Sequence, residues 1–216
     1  MPRTRVKICG ITRNADALLA VELGADALGL IFHPASPRAV KPEQIPALLA
    51  NISGLVSVVA LFVDPAVQEV ETVLASGRIH CLQFQGQESP EFCQRFQHPV
   101  LKGIAVQDRE SLQQQVARYR NVADILLDTY HPQKPGGTGK TFDWTLAQEA
   151  VNGGRLAVTL AGGLNAGNVA AAIATVRPFA VDVCSGVEAS PGIKSAEKLR
   201  SFFAAVNQSN QEARNV

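Results

Sequence analysis

The chain has few cysteines, and none stands close to another. Cys9, Cys81, Cys93 and Cys184 are its four, with no CxxC spacing. A structural zinc centre needs closely spaced ligands, so none is expected. Charge of one sign is lacking too: lysine plus arginine number 20 against 19 acidic residues, a net charge of +1. No basic run is present, so neither a nucleic-acid nor a membrane surface is expected. No apolar run reaches transmembrane length, and no apolar segment precedes Val6 as in a secretory leader. The expectation is a cytoplasmic protein with reduced thiols.

What is present is a core. Hydrophobic residues make up 46% of the 216, enough for one compact domain. The unit that organises it comes first. Residues 5–9 form a short apolar run that stops at Cys9, followed by Gly10 and a polar turn. The same design recurs: residues 27–32, 56–63, 79–83, 100–105, 123–128, 156–161 and 179–183 read as strands.

Stretches of helical period separate them. Residues 15–23, 42–49, 108–118 (capped by Asp108) and 195–206 read as helices, with others opening near Asp64-Pro65 and Asn165. Residues 207–216 are polar and read as a frayed tail, leaving 1–206 as the folded domain. Continuous apolar strands alternating with helices indicate parallel strands buried on both faces. Eight such units predict a single-domain α/β fold, a closed (β/α)8 TIM barrel of eight parallel strands, in preference to an open doubly wound sheet.

In such a barrel the strand C-termini carry the site. Two glycine turns, Gly162-Gly163 after strand seven and Ser185-Gly186 after strand eight, allow close backbone approach to an anion, which predicts a phosphorylated substrate. Arg38 follows a proline-stiffened loop after strand two, where a guanidinium fork suits a carboxylate; His33 is a weaker candidate. Residues 135–141 resemble part of a nucleotide-binding P-loop, but Lys134 stands where that motif needs glycine. A lid is the preferred role. Cys9 and Asp128 each end an apolar strand at this face, as base and acid if their pKa values are tuned.

At this point the residues resemble a family. Lys7-Ile8-Cys9-Gly10-Ile11, Ser36-Pro37-Arg38, Leu126-Leu127-Asp128, Gly136-Gly137-Thr138-Gly139, Leu160-Ala161-Gly162-Gly163-Leu164 and Asp182-Val183-Cys184-Ser185-Gly186-Val187-Glu188 are similar, in order, to the phosphoribosylanthranilate isomerases of tryptophan biosynthesis. The resemblance implies an Amadori rearrangement with Asp128 as acid and Cys9 as base. It implies that Arg38 holds the anthranilate carboxylate, that backbone at Gly163, Ser185 and Gly186 holds the phosphate, and that Asp182 lies near the ribose. The partner is a small phosphosugar, and no cofactor or metal is implied. Monomer and homodimer stay open.

Two positions depart from the family pattern. Gln85 replaces a histidine, which keeps a hydrogen-bonding role and loses a titrating one. Cys184 stands where serine is frequent. The alternatives are a histidine-pathway isomerase making the same rearrangement, which Cys9 argues against, and a nucleotide-binding protein using residues 136–141.

Overall fold

The computed structural model describes residues 3–129, 142–152 and 157–212. In chain order the elements are β1 (Arg5–Cys9), α1 (Asn14–Glu22), β2 (Ala27–Ile31), α2 (Ile45–Leu48), β3 (Ser57–Phe62), α3 (Val67–Leu74), β4 (Cys81–Phe84), α4 (Pro90–Cys93), β5 (Val100–Val106) and α5 (Arg109–Tyr119). There follow β6 (Asp124–Thr129), α6 (Trp144–Asn152), β7 (Val158–Leu160), α7 (Val169–Val176), β8 (Ala180–Val183), β9 (Glu188–Ser190), β10 (Ile193–Lys194) and α8 (Ala196–Glu212).

Strands β1 to β8 close into a barrel in sequence order. Every pair is parallel, and β8 returns to β1 with Lys7 opposite Asp182 and Ile8 opposite Val183. The strands are β-branched and leucine-rich because both their faces are covered. One face of each packs on the helices: Ile8, Leu28, Leu30, Val58, Ala60 and Leu127 join Phe202, Leu199 and Val169 in the main core. The other face fills the interior, where Cys9, Ile31 and Leu61 form a separate cluster and Leu101, Leu126 and Ala161 another. This alternation of period two decides which strand residues can reach the site.

Several boundaries differ from those the sequence predicts. Residues 42–49 divide into a 3₁₀ turn (Pro42–Gln44) and α2, because Pro46 has no N–H to continue the first turn. The helix expected at Asn165 begins at Val169. Asn side chains take the intervening amides: Asn168 Oδ1 accepts from Asn165 N at 2.8 Å and Asn165 Oδ1 from Gly167 N at 2.8 Å.

The expected frayed tail is corrected as far as Glu212. There α8 continues six residues past Val206, with Ser209 buried. Asn210 Oδ1 accepts from Thr4 N at 2.8 Å, and its amide donates to Thr4 O at 3.4 Å. Asn210 thus serves the start of β1, while Asn207, Gln208, Gln211 and Glu212 face solvent. Residues 213–216, and the loop at 130–141 with its P-loop-like glycines, lie outside the described residues.

Candidate active site

The C-terminal mouth of the barrel opens on a cavity of about 120 Å³. Cys9, His33, Arg38, Gln83, Gln85, Asp128, Asp182 and Cys184 line it together with Ile31, Leu61 and Leu126. Both predicted reacting groups, the predicted carboxylate binder and Asp182 therefore meet in one place.

Cys9 ends β1 with its side chain turned inward. Its neighbour on β2 is Gly29, where a β-carbon would stand 2.8 Å from the Cys9 sulfur. Only glycine leaves room for the thiol. On the other side Cys184, the residue after β8, packs against Cys9. The Cys184 thiol, and the Lys7 and Lys194 ammoniums, draw the Cys9 thiol down to about 7 against the opposing effects of burial and Asp182. The same contact pushes Cys184 well above the usual thiol range.

Lys7 lies two residues before Cys9 on the same inward face. Its Nζ is 2.9 Å from Asp182 Oδ1, both groups buried. Burial opposes its charge, yet Asp182 and Cys9 outweigh burial and hold Lys7 protonated.

Asp128 is buried at the end of β6. Burial lifts its carboxyl to about 6, although the Thr129 amide, 2.7 Å from Oδ1, favours the charged form. Gln85 Nε2 donates to Asp128 Oδ2 at 3.3 Å, and Gln85 Oε1 accepts from Gln83 Nε2 at 3.0 Å. Gln85 thus keeps the positioning role that its amide allows. At Gly162, with φ +84°, a β-carbon would stand 2.7 Å from Thr129 N and 3.2 Å from Asp128 Oδ1, so the bare backbone makes space for the acid.

Loops seven and eight meet as expected. Gly163 has φ +64°. Ser185 opens a 3₁₀ turn (Ser185–Val187), and Gly186 lies against the Leu164 carbonyl so closely that no β-carbon fits.

Arg38 lines the cavity, but one edge of its guanidinium is taken. Nε donates to Glu188 Oε1 at 2.8 Å and Nη2 to Oε2 at 2.7 Å. The hydrogens on Nη1 and one on Nη2 remain for a ligand.

Lys7 and Glu188 stand in the family-like stretches without an expected role, and Lys194 escaped the sequence reading. Lys7 had a signal: a charge inside an apolar strand, on the face of Cys9. The same signal misleads at Lys102, which alternation turns outward. Its Nζ bonds Phe84 O at 3.1 Å, Gly86 O at 2.7 Å and Gly103 O at 3.0 Å, with Glu88 at 3.2 Å, and braces the β4 loop instead. Among the described residues no group of three or more His, Cys, Asp or Glu could hold a metal.

Comparison with known proteins places the chain in a family. Residues 6–205 match the family model described as N-(5'phosphoribosyl)anthranilate (PRA) isomerase. A relative named N-(5'-phosphoribosyl)anthranilate isomerase from Pseudomonas syringae pv. tomato is 47% identical over 207 residues, covering 96% of this chain and 99% of its own. One of the same name from Halorhodospira halophila is 44% identical over 209 residues, covering 97% and 99%. The crystal structure of phosphoribosyl anthranilate isomerase from Thermotoga maritima superposes with TM-score 0.87 at 39% identity, covering 95% of this chain and 99% of that one. A phosphoribosylanthranilate isomerase in complex with reduced 1-(o-carboxyphenylamino)-1-deoxyribulose 5-phosphate gives TM-score 0.84 at 36% identity, with the same coverage.

Proposed function

The chain belongs to the N-(5'-phosphoribosyl)anthranilate isomerase family, and from that premise we infer that Cys9 and Asp128 perform its Amadori rearrangement as base and acid. The reaction converts N-(5-phosphoribosyl)anthranilate to 1-(2-carboxyphenylamino)-1-deoxyribulose 5-phosphate in tryptophan biosynthesis. The observation that carries the residue assignment is that a thiol drawn to about 7 and a carboxyl lifted to about 6 line the same small cavity. Tuning an acid and a base toward neutrality in one site is what proton transfer at neutral pH requires.

Asp128 gives its proton to the ribose ring oxygen. The C1–O bond breaks, the anthranilate nitrogen lone pair forms the iminium, and the ring oxygen leaves as a hydroxyl. Cys9 thiolate then takes the proton from C2; the C–H electron pair becomes the C1=C2 double bond and the iminium π pair returns to nitrogen. The resulting enolamine tautomerises to the aminoketone. The iminium is the electron sink, so the chemistry calls for no metal or organic cofactor. Arg38 holds the anthranilate carboxylate. Backbone at Gly162, Gly163, Ser185 and Gly186 holds the phosphate, and Asp182 with Lys7 lies beneath the ribose. A cytoplasmic setting belongs to the same reading: the mechanism needs Cys9 as a free thiol, and all four cysteines are free. No described helix is long and apolar enough to cross a membrane.

The test is turnover of freshly made substrate, without added metal, by the wild type, Cys9→Ala and Asp128→Asn. Each variant is expected to lose ~10²–10⁴-fold in kcat. Full activity in either removes that residue from the mechanism. No turnover by the wild type, with turnover of the histidine-pathway aminoaldose, would reassign the substrate.

A further inference from the structure

The loop after β8 is more than a phosphate turn. It carries an antiparallel hairpin, β9 with β10, set against the turn after β1 and the start of α1. Thr12 Oγ1 donates to Gly192 O, and Lys194 N donates to Asp16 Oδ2 at 3.0 Å. What this hairpin delivers is two buried charges. The Glu188 side chain is 4% exposed and that of Lys194 is 0% exposed. Lys194 Nζ lies 3.0 Å from Glu188 Oε1, the oxygen that also accepts from Arg38 Nε and, at 3.2 Å, from Gly192 N.

Burying three charges is costly unless each has a purpose or a partner. Glu188 grips Arg38 with both oxygens along its Nε edge, which fixes the guanidinium plane and leaves the opposite, Nη edge for a second planar carboxylate. Alone, this grip would defeat recognition, because a neutral Arg38–Glu188 pair offers an incoming anion little net attraction. Lys194 changes that count. Two cations and one carboxylate leave the cluster at +1.

We propose that Glu188 and Lys194 are positioning residues for substrate recognition: Glu188 orients Arg38, and Lys194 restores the positive charge that Glu188 removes. The proposal rests on the reading that Arg38 receives the anthranilate carboxylate. Burial resists ionisation of Glu188, but Arg38 and Lys194 outweigh it and hold its carboxyl below the usual range. The carboxylate is therefore a permanent part of the arrangement at neutral pH.

The test compares two probes: the reduced aminoketose 5-phosphate bearing the 2-carboxyphenyl group, and its counterpart bearing plain phenyl. Calorimetry gives Kd for each on the full chain. The ratio of the two Kd values measures carboxylate recognition with folding and phosphate binding divided out. Lys194→Met is expected to reduce the wild-type preference for the carboxylated probe about tenfold, the loss of one unit charge in a partly desolvated site. Lys194→Met/Glu188→Gln, which brings the cluster back to +1 but leaves Arg38 held through one oxygen, is expected to recover part of it. Arg38→Met is expected to abolish the preference.

If Lys194→Met weakens both probes alike, or neither, the proposal fails and Lys194 is structural. Failure of the double variant to recover the preference sinks it equally. If Arg38→Met keeps the preference, the carboxylate assignment itself fails, a separate result. Should Lys194→Met melt too low to assay, Lys194→Gln still donates to Glu188, is equally neutral and carries the same expectation.

Discussion

Lys7 and Asp182 form a buried ion pair, Nζ to Oδ1 at 2.9 Å, inside the barrel and directly below the Cys9 thiol. The pair holds a permanent ammonium under the base. Above it, Cys184 draws the Cys9 thiol down to about 7 and burial lifts the Asp128 carboxyl to about 6, so the two stand in reversed order for a base and an acid.

Under the proposed mechanism, only molecules with Cys9 ionised and Asp128 protonated react. At pH 6.5 that is roughly one molecule in twenty, by the two titrations taken together. The log of kcat/KM is therefore expected to be nearly level between pH 6 and 7 and to fall on both sides. In Lys7→Met the ammonium is gone and the Cys9 pKa rises. For each pH unit by which the thiol climbs, the level region drops about tenfold and the alkaline bend moves up equally. Substrate ionisation is common to both enzymes and cancels in the comparison. An alkaline bend that stays in place in Lys7→Met would separate Lys7 from the thiol. The variant also leaves Asp182 buried without its cation, so a loss of ~3–5 kcal/mol in stability is expected. Lys7→Met/Asp182→Asn should recover much of it in denaturant melts.

Cys184 acts on the same thiol from the side. A Cys184→Ala variant removes the neighbouring thiol, so the Cys9 pKa should rise and alkylation of Cys9 by iodoacetamide at pH 7 should slow several-fold. Cys184→Ser keeps a donor and should label near the wild-type rate. Burial holds Cys81 and Cys93 at about 11, so peptide mass mapping reads Cys9 with little background. Equal rates in all three proteins would mean that Cys184 only fills space.

Much of this was legible in the sequence, for reasons that are local. A parallel strand covered on both faces must be continuously apolar, so eight runs announce eight strands, and Cys9 and Asp128 stand out because they end two of them. The pairing partners were not legible. Arg38 meets Glu188 across 150 positions and Thr4 meets Asn210 across 206. Hairpin β9–β10 has only three and two residues in its strands, too few to show a period. Nothing local to Arg38 says that half of its fork is occupied. Lys7 was recoverable from period two alone, since a residue two before Cys9 must share its face.

Gln85 isolates the effect of a family departure. It holds the Asp128 carboxyl through an amide that cannot titrate, and its own orientation depends on Gln83. Gln85→Leu should lower kcat about tenfold with little change in KM, because the acid loses its orientation while the substrate contacts stay. Gln85→His should keep most of kcat and add a further ionisation to the acid side of the kcat profile, near the ordinary histidine value of ~6.5. A profile in Gln85→His that overlays the wild type would show that residue 85 does not communicate with Asp128.

Asp128 also sets a stability cost that the reaction requires. Its folded pKa, about 6, lies above the ordinary aspartate value of 3.8, so the folded state binds this proton more tightly than the unfolded chain. Below about pH 4 the group is protonated in both states and costs nothing. Between about 4 and 6 the unfolded chain ionises first, and stability falls with rising pH. Above about 6 the full penalty stands, ~2–3 kcal/mol for a proton held about a hundredfold more tightly by the folded protein. Asn has nearly the same shape and no charge to bury. Asp128→Asn, whatever its activity, is therefore expected to be more stable than the wild type at pH 8 by up to that amount, with the gap closing toward pH 4. Urea melts of both proteins at pH 4, 6 and 8 give the curve. A variant equally stable at pH 8 would mean that the carboxylate is ionised in the folded protein without penalty, and the acid assignment would lose its physical basis.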